Sequence, residues 1–239
     1  MARSRPSLTV IIPAAGSGSR LGFRTPKPYV RLCGKPLLYY ALAVFQVSAV
    51  VKQIIIAAEP QQVRRAAALV ERFGFSKVRR VVAGGRTRTE SVRHAFAYAG
   101  DSEYVAVHDA ARPFVTEAII RRGMAAARQC GAAICAIPCA STIKAVDARQ
   151  CVAQTLDRRR LWQIQTPQIF LTELLSRAYA ALDQRQQDFF DDAAVVERLP
   201  HPVRVFAGTV TNIKITVPED LAIARAFVAA GFAGHRERC

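Results

Sequence analysis

Short, β-branched apolar runs separated by amphipathic stretches constrain this chain more than any other feature. Residues 8–15, 52–58, 78–83, 103–108 and 132–138 are nearly continuous in apolar side chains, the pattern of strands covered on both faces. Between them Val63, Ala66, Ala67, Val70 and Phe73 recur at helical spacing, and Ala95, Tyr98 and Ala99 close a second such stretch. Strand and helix alternating in this way predict an α/β fold: right-handed crossovers and a mostly parallel sheet with helices on both faces. Ligands of such sheets collect outside the carboxyl ends of the strands, so chemistry is expected in the loops after Ala15, Ala58, Ala83 and His108.

From 139 to 166 the rhythm changes. Residues 142–146 and 151–156 read as two short strands joined by the polar residues 147–150, an excursion with the look of an arm. Helices are expected near 172–182 and 191–199, strands near 203–206 and 213–216, and a last helix opened by a capping box at Thr216-Val-Pro-Glu219. With 239 residues, 51% of them hydrophobic, the chain fits one α/β domain or two small ones, and disorder is excluded as its main state. Its longest apolar runs, such as 54–58 and 132–136, fall far short of the roughly 18 residues that cross a bilayer. The start, with Arg3, Arg5 and Pro6, has no signal-peptide apolar region, and a cytoplasmic location is expected. Six cysteines occur without a CxxC pair or a neighbouring histidine group. That disfavours zinc, and Cys135 and Cys139, in or beside an apolar run, read as buried reduced thiols.

After the first run comes Pro13-Ala-Ala-Gly16-Ser-Gly18-Ser-Arg20-Leu-Gly22. Its glycine spacing is not that of a dinucleotide fingerprint, and Pro26 and Pro28 forbid the helix that such a fingerprint needs. Small residues here let backbone N–H groups approach phosphates, with Arg20 and Lys27 as movable charges on the same loop; a nucleoside triphosphate is the natural guest, and a tight structural turn the plainer alternative. His108-Asp109-Ala-Ala-Arg112-Pro113 ends another strand. Asp109 there either holds Mg²⁺ or pairs internally with Arg112, and His108 reads as a packed polar residue rather than a base.

These segments occur together with Pro26-Lys27, Gly84-Gly85 and Ser91, Thr142-Ile-Lys144, Asp157-Arg158, Thr166-Pro-Gln168, Asp191-Asp192 and Asn212-Ile-Lys214-Ile-Thr216. In that order and spacing, from about residue 8 to residue 228, the chain resembles the 2-C-methyl-D-erythritol 4-phosphate cytidylyltransferase family. The resemblance implies a single Rossmann-like nucleotidyltransferase domain over 1–239, its protruding β-arm (139–165) making a homodimer contact. It implies that a phosphate oxygen of the polyol phosphate attacks the α-phosphorus of CTP and pyrophosphate leaves. Fixed cations, not a general base, are then what the protein must supply. Carried over residue by residue, Arg20 and Lys27 are catalytic. Ala14, Ala15, Gly16, Gly18, Gly85, Ser91 and Asp109 meet the nucleotide, and Asp109 holds the divalent ion, Mg²⁺ or another. Arg158, Lys214, Thr142 and Arg112 position the second substrate, with Arg158 and Thr142 reaching across the dimer. The chain departs from the family pattern at Pro28, Arg86 and Phe190.

Two other readings compete with this one. Ribitol 5-phosphate cytidylyltransferases share several motifs, but Ala111 and Arg158 favour the erythritol substrate. With 34 Lys+Arg against 18 Asp+Glu the net charge is +16, which alone suggests a nucleic-acid-binding module; aromatics are only 8% of the chain and do not interleave with the basic residues as a stacking platform would. Neither nucleic acid nor membrane is expected as a partner.

Overall fold

The computed structural model describes residues 7–16, 25–182 and 189–232. In chain order the elements are β1 (Leu8–Ala14), a small hairpin of β2 (Arg31–Leu32) and β3 (Lys35–Pro36), α1 (Leu37–Val47), β4 (Val51–Ala58), α2 (Val63–Arg72), β5 (Val78–Ala83), α3 (Arg88–Phe96), β6 (Tyr104–Val107), α4 (Glu117–Cys130) and β7 (Ala132–Pro138). There follow β8 (Ile143–Val146), β9 (Val152–Leu156), β10 (Trp162–Leu171), α5 (Thr172–Ala180), α6 (Ala193–Val196), β11 (Arg204–Ala207) and α7 (Pro218–Ala229). Seven strands form one sheet in the order β11-β7-β10-β6-β1-β4-β5. All pairs are parallel except those of β10, which runs antiparallel to β6 and β7.

The apolar runs are continuous because both faces of the central strands are covered. Leu8, Val10 and Ile12 join one cluster with residues of α1, α2 and α4, while Ile11 packs with Val105 and Val107 against α3, α5 and α6 on the other face. Thr9 is the polar exception in β1, and it is buried with its hydroxyl bonded to Ser102 Oγ at 2.6 Å. Strand β5 departs from the expectation of two covered faces: it is the sheet edge, and Arg79 and Arg80 are exposed. Helix α1 is apolar all round (LLYYALAVF) and so lacks the one-sided stripe that would have marked it.

Other differences have local causes. Strand β10 carries Gln163, Gln165, Thr166 and Gln168 and a proline, a composition that hides a central strand; Pro167 is tolerated because the ladder to β7 is irregular between Ile164 and Gln168. The segment 213–216, expected as a strand, pairs with none of the described strands, and the Ile215 N–H donates instead to the Ala111 carbonyl at 2.9 Å. Helix α7 begins one residue later than expected. Asp220, not Glu219, accepts from the N–H groups of Thr216 (2.6 Å) and Val217 (3.0 Å), and Pro218 takes the first-turn position where no donor is needed. The helix expected over 191–199 shortens to the single turn of α6. Strands β8 and β9 form a separate two-stranded antiparallel sheet, paired from Ile143↔Leu156 to Val146↔Val152.

The path of the chain fixes where a ligand can sit. From β1 it runs outward to β4 and β5, then crosses back to β6 on the other side of β1. Loops therefore diverge at the carboxyl ends of β1 and β6 and leave a crevice there.

Helix α4 lies on the sheet through Gly123, where an added Cβ would stand 2.7 Å from Phe206 Cζ and 2.8 Å from Ile169 Cδ1. Gly123→Leu is expected to lower unfolding free energy by about 1–3 kcal/mol through overpacking, read as a lower urea midpoint with an unchanged slope. An unaltered midpoint would show that this contact is not the limiting one.

Candidate active site

A cavity of about 520 Å³ occupies the crevice. Its walls come from three strand-end loops and two further segments: Pro13 to Gly16 after β1, Gly85 to Arg88 with Ser91 after β5, Asp109 to Ala111 after β6, then Lys27 and Pro28, and Lys214 and Thr216. Of the loops singled out from sequence, the one after Ala58 contributes no wall. Gly18 and Arg20 lie outside the described residues.

The Gly84-Gly85 turn is shaped by Ser91. Its hydroxyl donates to the Thr87 carbonyl (2.9 Å) and accepts from the Gly85 N–H (3.0 Å). A Cβ on Gly84 would fall 2.7 Å from that oxygen, and one on Gly85 would run into Glu90, so both glycines are required by close approach. Thr87 caps α3 by accepting from the Glu90 N–H, and the Glu90 carboxylate accepts from the Arg86 N–H at 2.7 Å. The departure at Arg86 is thus absorbed through its backbone, while its side chain stands largely in solvent. Pro28 is absorbed in the same manner: Lys27–Tyr29 is a single 3₁₀ turn in which the Tyr29 N–H donates to Pro26 and the Val30 N–H to Lys27. A proline in the middle of that turn removes no hydrogen bond. Phe190 is fully exposed.

Asp109 is the electrostatic centre. Lys214 Nζ lies 2.9 Å from Oδ2, Arg112 Nε 3.7 Å from the same oxygen, and Arg88 Nε 3.5 Å from Oδ1. Burial by itself pushes the Asp109 carboxyl up, but Arg88, Lys214 and Arg112 outweigh it and hold the group well below the ordinary carboxylate range. Arg88 is anchored in turn on the buried Asp192 at 2.7 Å, and Asp192 also accepts from the Tyr179 hydroxyl. Sequence reasoning missed Arg88. It sits among Arg86 and Arg93 in a basic stretch, and nothing in the spacing separates it from solvent-facing neighbours.

Arg112 is placed differently from the other expected site residues. It is buried, donates to the carbonyls of Asn212 (2.7 Å) and Ile164 (3.1 Å), and is absent from the cavity wall. Thr142 and Arg158 also stand away from the wall. Both are exposed, and Arg158 Nη1 donates to the Ala140 carbonyl at 2.7 Å, at the foot of the arm.

The motif residues that touch no cavity hold the loops in register. His108 Nε2 donates to the Arg112 carbonyl (3.1 Å), an acceptor-only group, which fixes the tautomer; Nδ1 then accepts from the Thr166 hydroxyl (3.0 Å), whose oxygen accepts the Asp109 N–H (3.1 Å). Burial pushes the imidazole down to about 4, so His108 is neutral and fully bonded. Gln168 reaches the other way: its carbonyl oxygen accepts from the N–H groups of Asp192 and Ala193, and its amide donates to Asp191. Asn212 donates to Gln165 and to the Thr166 carbonyl. Cys135 and Cys139 are buried free thiols, and burial raises Cys135 to about 11. Among the described residues no group of three or more His, Cys, Asp or Glu is placed to hold a metal, and no helix is long and apolar enough to cross a membrane.

Comparison with known proteins points one way. A family model described as 2-C-methyl-D-erythritol 4-phosphate cytidylyltransferase matches residues 8–230. The protein of that name from Alkaliphilus metalliredigens is 40% identical over 218 residues, 90% of each chain, and that from Syntrophus aciditrophicus 39% identical over 94% of this chain and 97% of its own. Among solved structures, the 4-diphosphocytidyl-2C-methyl-D-erythritol synthase of Anaerococcus prevotii superposes with a TM-score of 0.80 at 29% identity, covering 93% of this chain and 96% of that one. The 2-C-methyl-D-erythritol 4-phosphate cytidylyltransferase of Thermus thermophilus does so at 0.77 with 32% identity, covering 92% and 98%.

The buried imidazole carries a pH prediction. With a folded-state value of about 4 against the ordinary 6.5, the unfolded chain binds the extra proton between these limits, so stability falls as pH drops through that window. From pH 7 to pH 5 the wild-type protein should lose about 2 kcal/mol more than His108→Gln in chemical denaturation. Equal losses in the two proteins would show that His108 is not the titrating group.

Proposed function

The chain belongs to the 2-C-methyl-D-erythritol 4-phosphate cytidylyltransferase family and transfers the cytidylyl group of CTP to that polyol phosphate, and we propose that Arg20 and Lys27 supply the charge that stabilises the transition state. The products are 4-diphosphocytidyl-2-C-methyl-D-erythritol and pyrophosphate, a step of non-mevalonate isoprenoid synthesis. The observation that carries the assignment of residues is the convergence of Lys27, Arg88 and Lys214 with the Gly85 turn on one crevice at the ends of β1 and β6.

A phosphate oxygen of the substrate forms the new bond to the α-phosphorus of CTP as the bond to the pyrophosphate oxygen breaks. Negative charge grows on the five-coordinate phosphorus and on the leaving group. No proton has to be removed from an ionised phosphate, so a base is not needed, and buried neutral His108 is not asked to be one. Lys27, on its 3₁₀ turn, and Arg20 act on the developing charge. The backbone of Ala14, Ala15, Gly16 and Gly18 receives the phosphates. Gly85 meets the base through its backbone. Ser91 acts through its hold on the Gly84-Gly85 turn.

Lys214 lines the cavity and positions the second phosphate. Arg112 acts through what it holds: it ties the loop after β6 to Asn212, two residues before Lys214. Asp109, the one carboxylate in the cavity wall among the described residues, suits Mg²⁺, an ion held by one or two carboxylates with substrate phosphates and water. Among the described residues its Oδ1 is approached by the Arg88 guanidinium alone, at 3.5 Å, leaving acceptor capacity for the ion. When bound, the ion neutralises phosphate charge.

Thr142 and Arg158 complete the site from a partner copy. The arm, 139–165, exposes Val146, Val152, Trp162 and Ile164, apolar side chains of the sort that a second protomer covers. Location in the cytoplasm fits a pathway on small phosphorylated metabolites.

CTP, Mg²⁺ and 2-C-methyl-D-erythritol 4-phosphate should together release pyrophosphate, with ribitol 5-phosphate far slower; the reverse order would sink the choice of substrate. Lys27→Ala and Arg20→Ala should each lower turnover by about 10²-fold or more, and full activity in either would remove that residue from the mechanism. Mixing inactive Lys27→Ala and Arg158→Ala chains should restore part of the activity in mixed dimers, whereas no recovery would argue against the exchanged arm.

A further inference from the structure

A second cavity, about 240 Å³, adjoins the turn that carries Lys27: Lys27 and Pro28 line the catalytic cavity, and Tyr29, the next residue, lines this one. Buried Tyr29 and Leu69 and half-buried Phe73 give it apolar surface, and exposed Arg31, Arg65 and Arg72 give it charge. Among the described residues none lining it is acidic and none of the three guanidiniums is ion-paired to a carboxylate. Glu59 and Glu71 are close in sequence but lie outside its lining.

The guanidiniums are held without being used up. Arg65 stacks over the Tyr29 ring at 4.2 Å and Arg72 over Phe73 at 5.4 Å, an arrangement that fixes a guanidinium by its face and leaves its N–H edge for an anion. Their remaining contacts are long: Arg65 to Gln62 Oε1 at 3.5 Å and Arg31 to the Gly34 carbonyl at 3.4 Å. The Tyr29 hydroxyl donates to the Gln62 carbonyl, so the ring under Arg65 is itself tied to the start of α2. Three unpaired cations around one apolar hollow repel one another, and an oxyanion that accepts bidentate bonds relieves this. The volume is below the roughly 300–1,000 Å³ of pockets for drug-sized ligands, which selects a compact guest.

We propose that this cavity is an effector site for a compact organic phosphate, its phosphoryl group held by Arg31, Arg65 and Arg72 and its carbon body resting on Tyr29, Leu69 and Phe73. Binding there bears on catalysis through the turn it shares with Lys27. The hydrogen bonds from Tyr29 to Pro26 and from Val30 to Lys27 make residues 26–30 one unit. Only this effect on turnover rests on the catalytic reading above; the binding does not.

The test uses phenyl phosphate as probe and the full chain saturated with CTP, so that the nucleotide part of the catalytic cavity is filled, and the double variant below, which keeps Lys214, separates the second cavity from the polyol-phosphate part. Calorimetry should show one phenyl phosphate per wild-type chain, binding weakened by roughly tenfold or more in Arg65→Ala/Arg72→Ala, and no binding of phenol, which lacks the charge. In the pyrophosphate assay, phenyl phosphate should shift the KM for CTP of the wild type by about twofold or more and leave the double variant, whose basal turnover is normal, unmoved. No binding to the CTP-loaded chain, equal binding by the variant, or binding without a shift in the CTP dependence would each overturn the proposal. A wild type that binds phenyl phosphate by calorimetry yet releases no pyrophosphate would count against the catalytic reading and leave the binding site standing.

Discussion

Everything at the carboxyl end of the sheet is arranged around one buried carboxylate. Asp109 is worth keeping ionised only because Lys214, Arg112 and Arg88 surround it, and each of these comes from a different part of the chain. Lys214 brings the segment before α7, Arg112 closes the loop after β6, and Arg88 brings the start of α3. A lone charge at this depth would be neutralised or would unfold the loop. With three cations it becomes the point to which three segments are tied, and Lys27, Arg88 and Lys214 line the crevice that would receive a triphosphate.

A second, uncharged set of bonds keeps that centre in place. His108, Thr166, Asn212 and Gln165 are joined by buried polar bonds, and Gln168 makes a separate set to the Asp191–Ala193 turn. This accounts for motif residues that touch no cavity. The Thr-Pro-Gln segment is a strand whose Thr166 hydroxyl accepts the Asp109 N–H on one side and whose Gln168 holds the Asp191-Asp192 turn on the other. Such networks are costly if one member is lost, because its partners are then buried without bonds.

The surplus of positive charge divides along similar lines. Lys27, Arg88 and Lys214 belong to the catalytic cavity, and Arg112 to its frame. Arg31, Arg65 and Arg72 gather at the second hollow behind Tyr29, so a further share of the +16 is concentrated rather than scattered. Arg79 and Arg80 lie on the exposed edge strand β5, where charge also discourages pairing with another chain.

Local pattern determined the central architecture by itself. Runs such as 8–15 and 103–108 are apolar at every step because helices cover both faces of their strands, and that signature survives in one dimension. The Gly84-Gly85 turn is local too, its glycines required by the close approach of Ser91 and Glu90, a few residues on. Tertiary structure alone decided the rest. Strand β10 is polar and contains a proline, and it lies centrally only because β6 and β7 supply its ladder. Segment 213–216 looks like a strand, but its Ile215 is claimed by the loop at Ala111. Arg88 is one arginine among several until Asp192, more than a hundred residues away, takes hold of it. Arg112 carries the sequence of a substrate contact and the geometry of an internal brace, since the carbonyls that claim it come from Ile164 and Asn212. Periodicity and turn chemistry act between neighbours in the chain, whereas these outcomes depend on partners that only folding brings within hydrogen-bond reach.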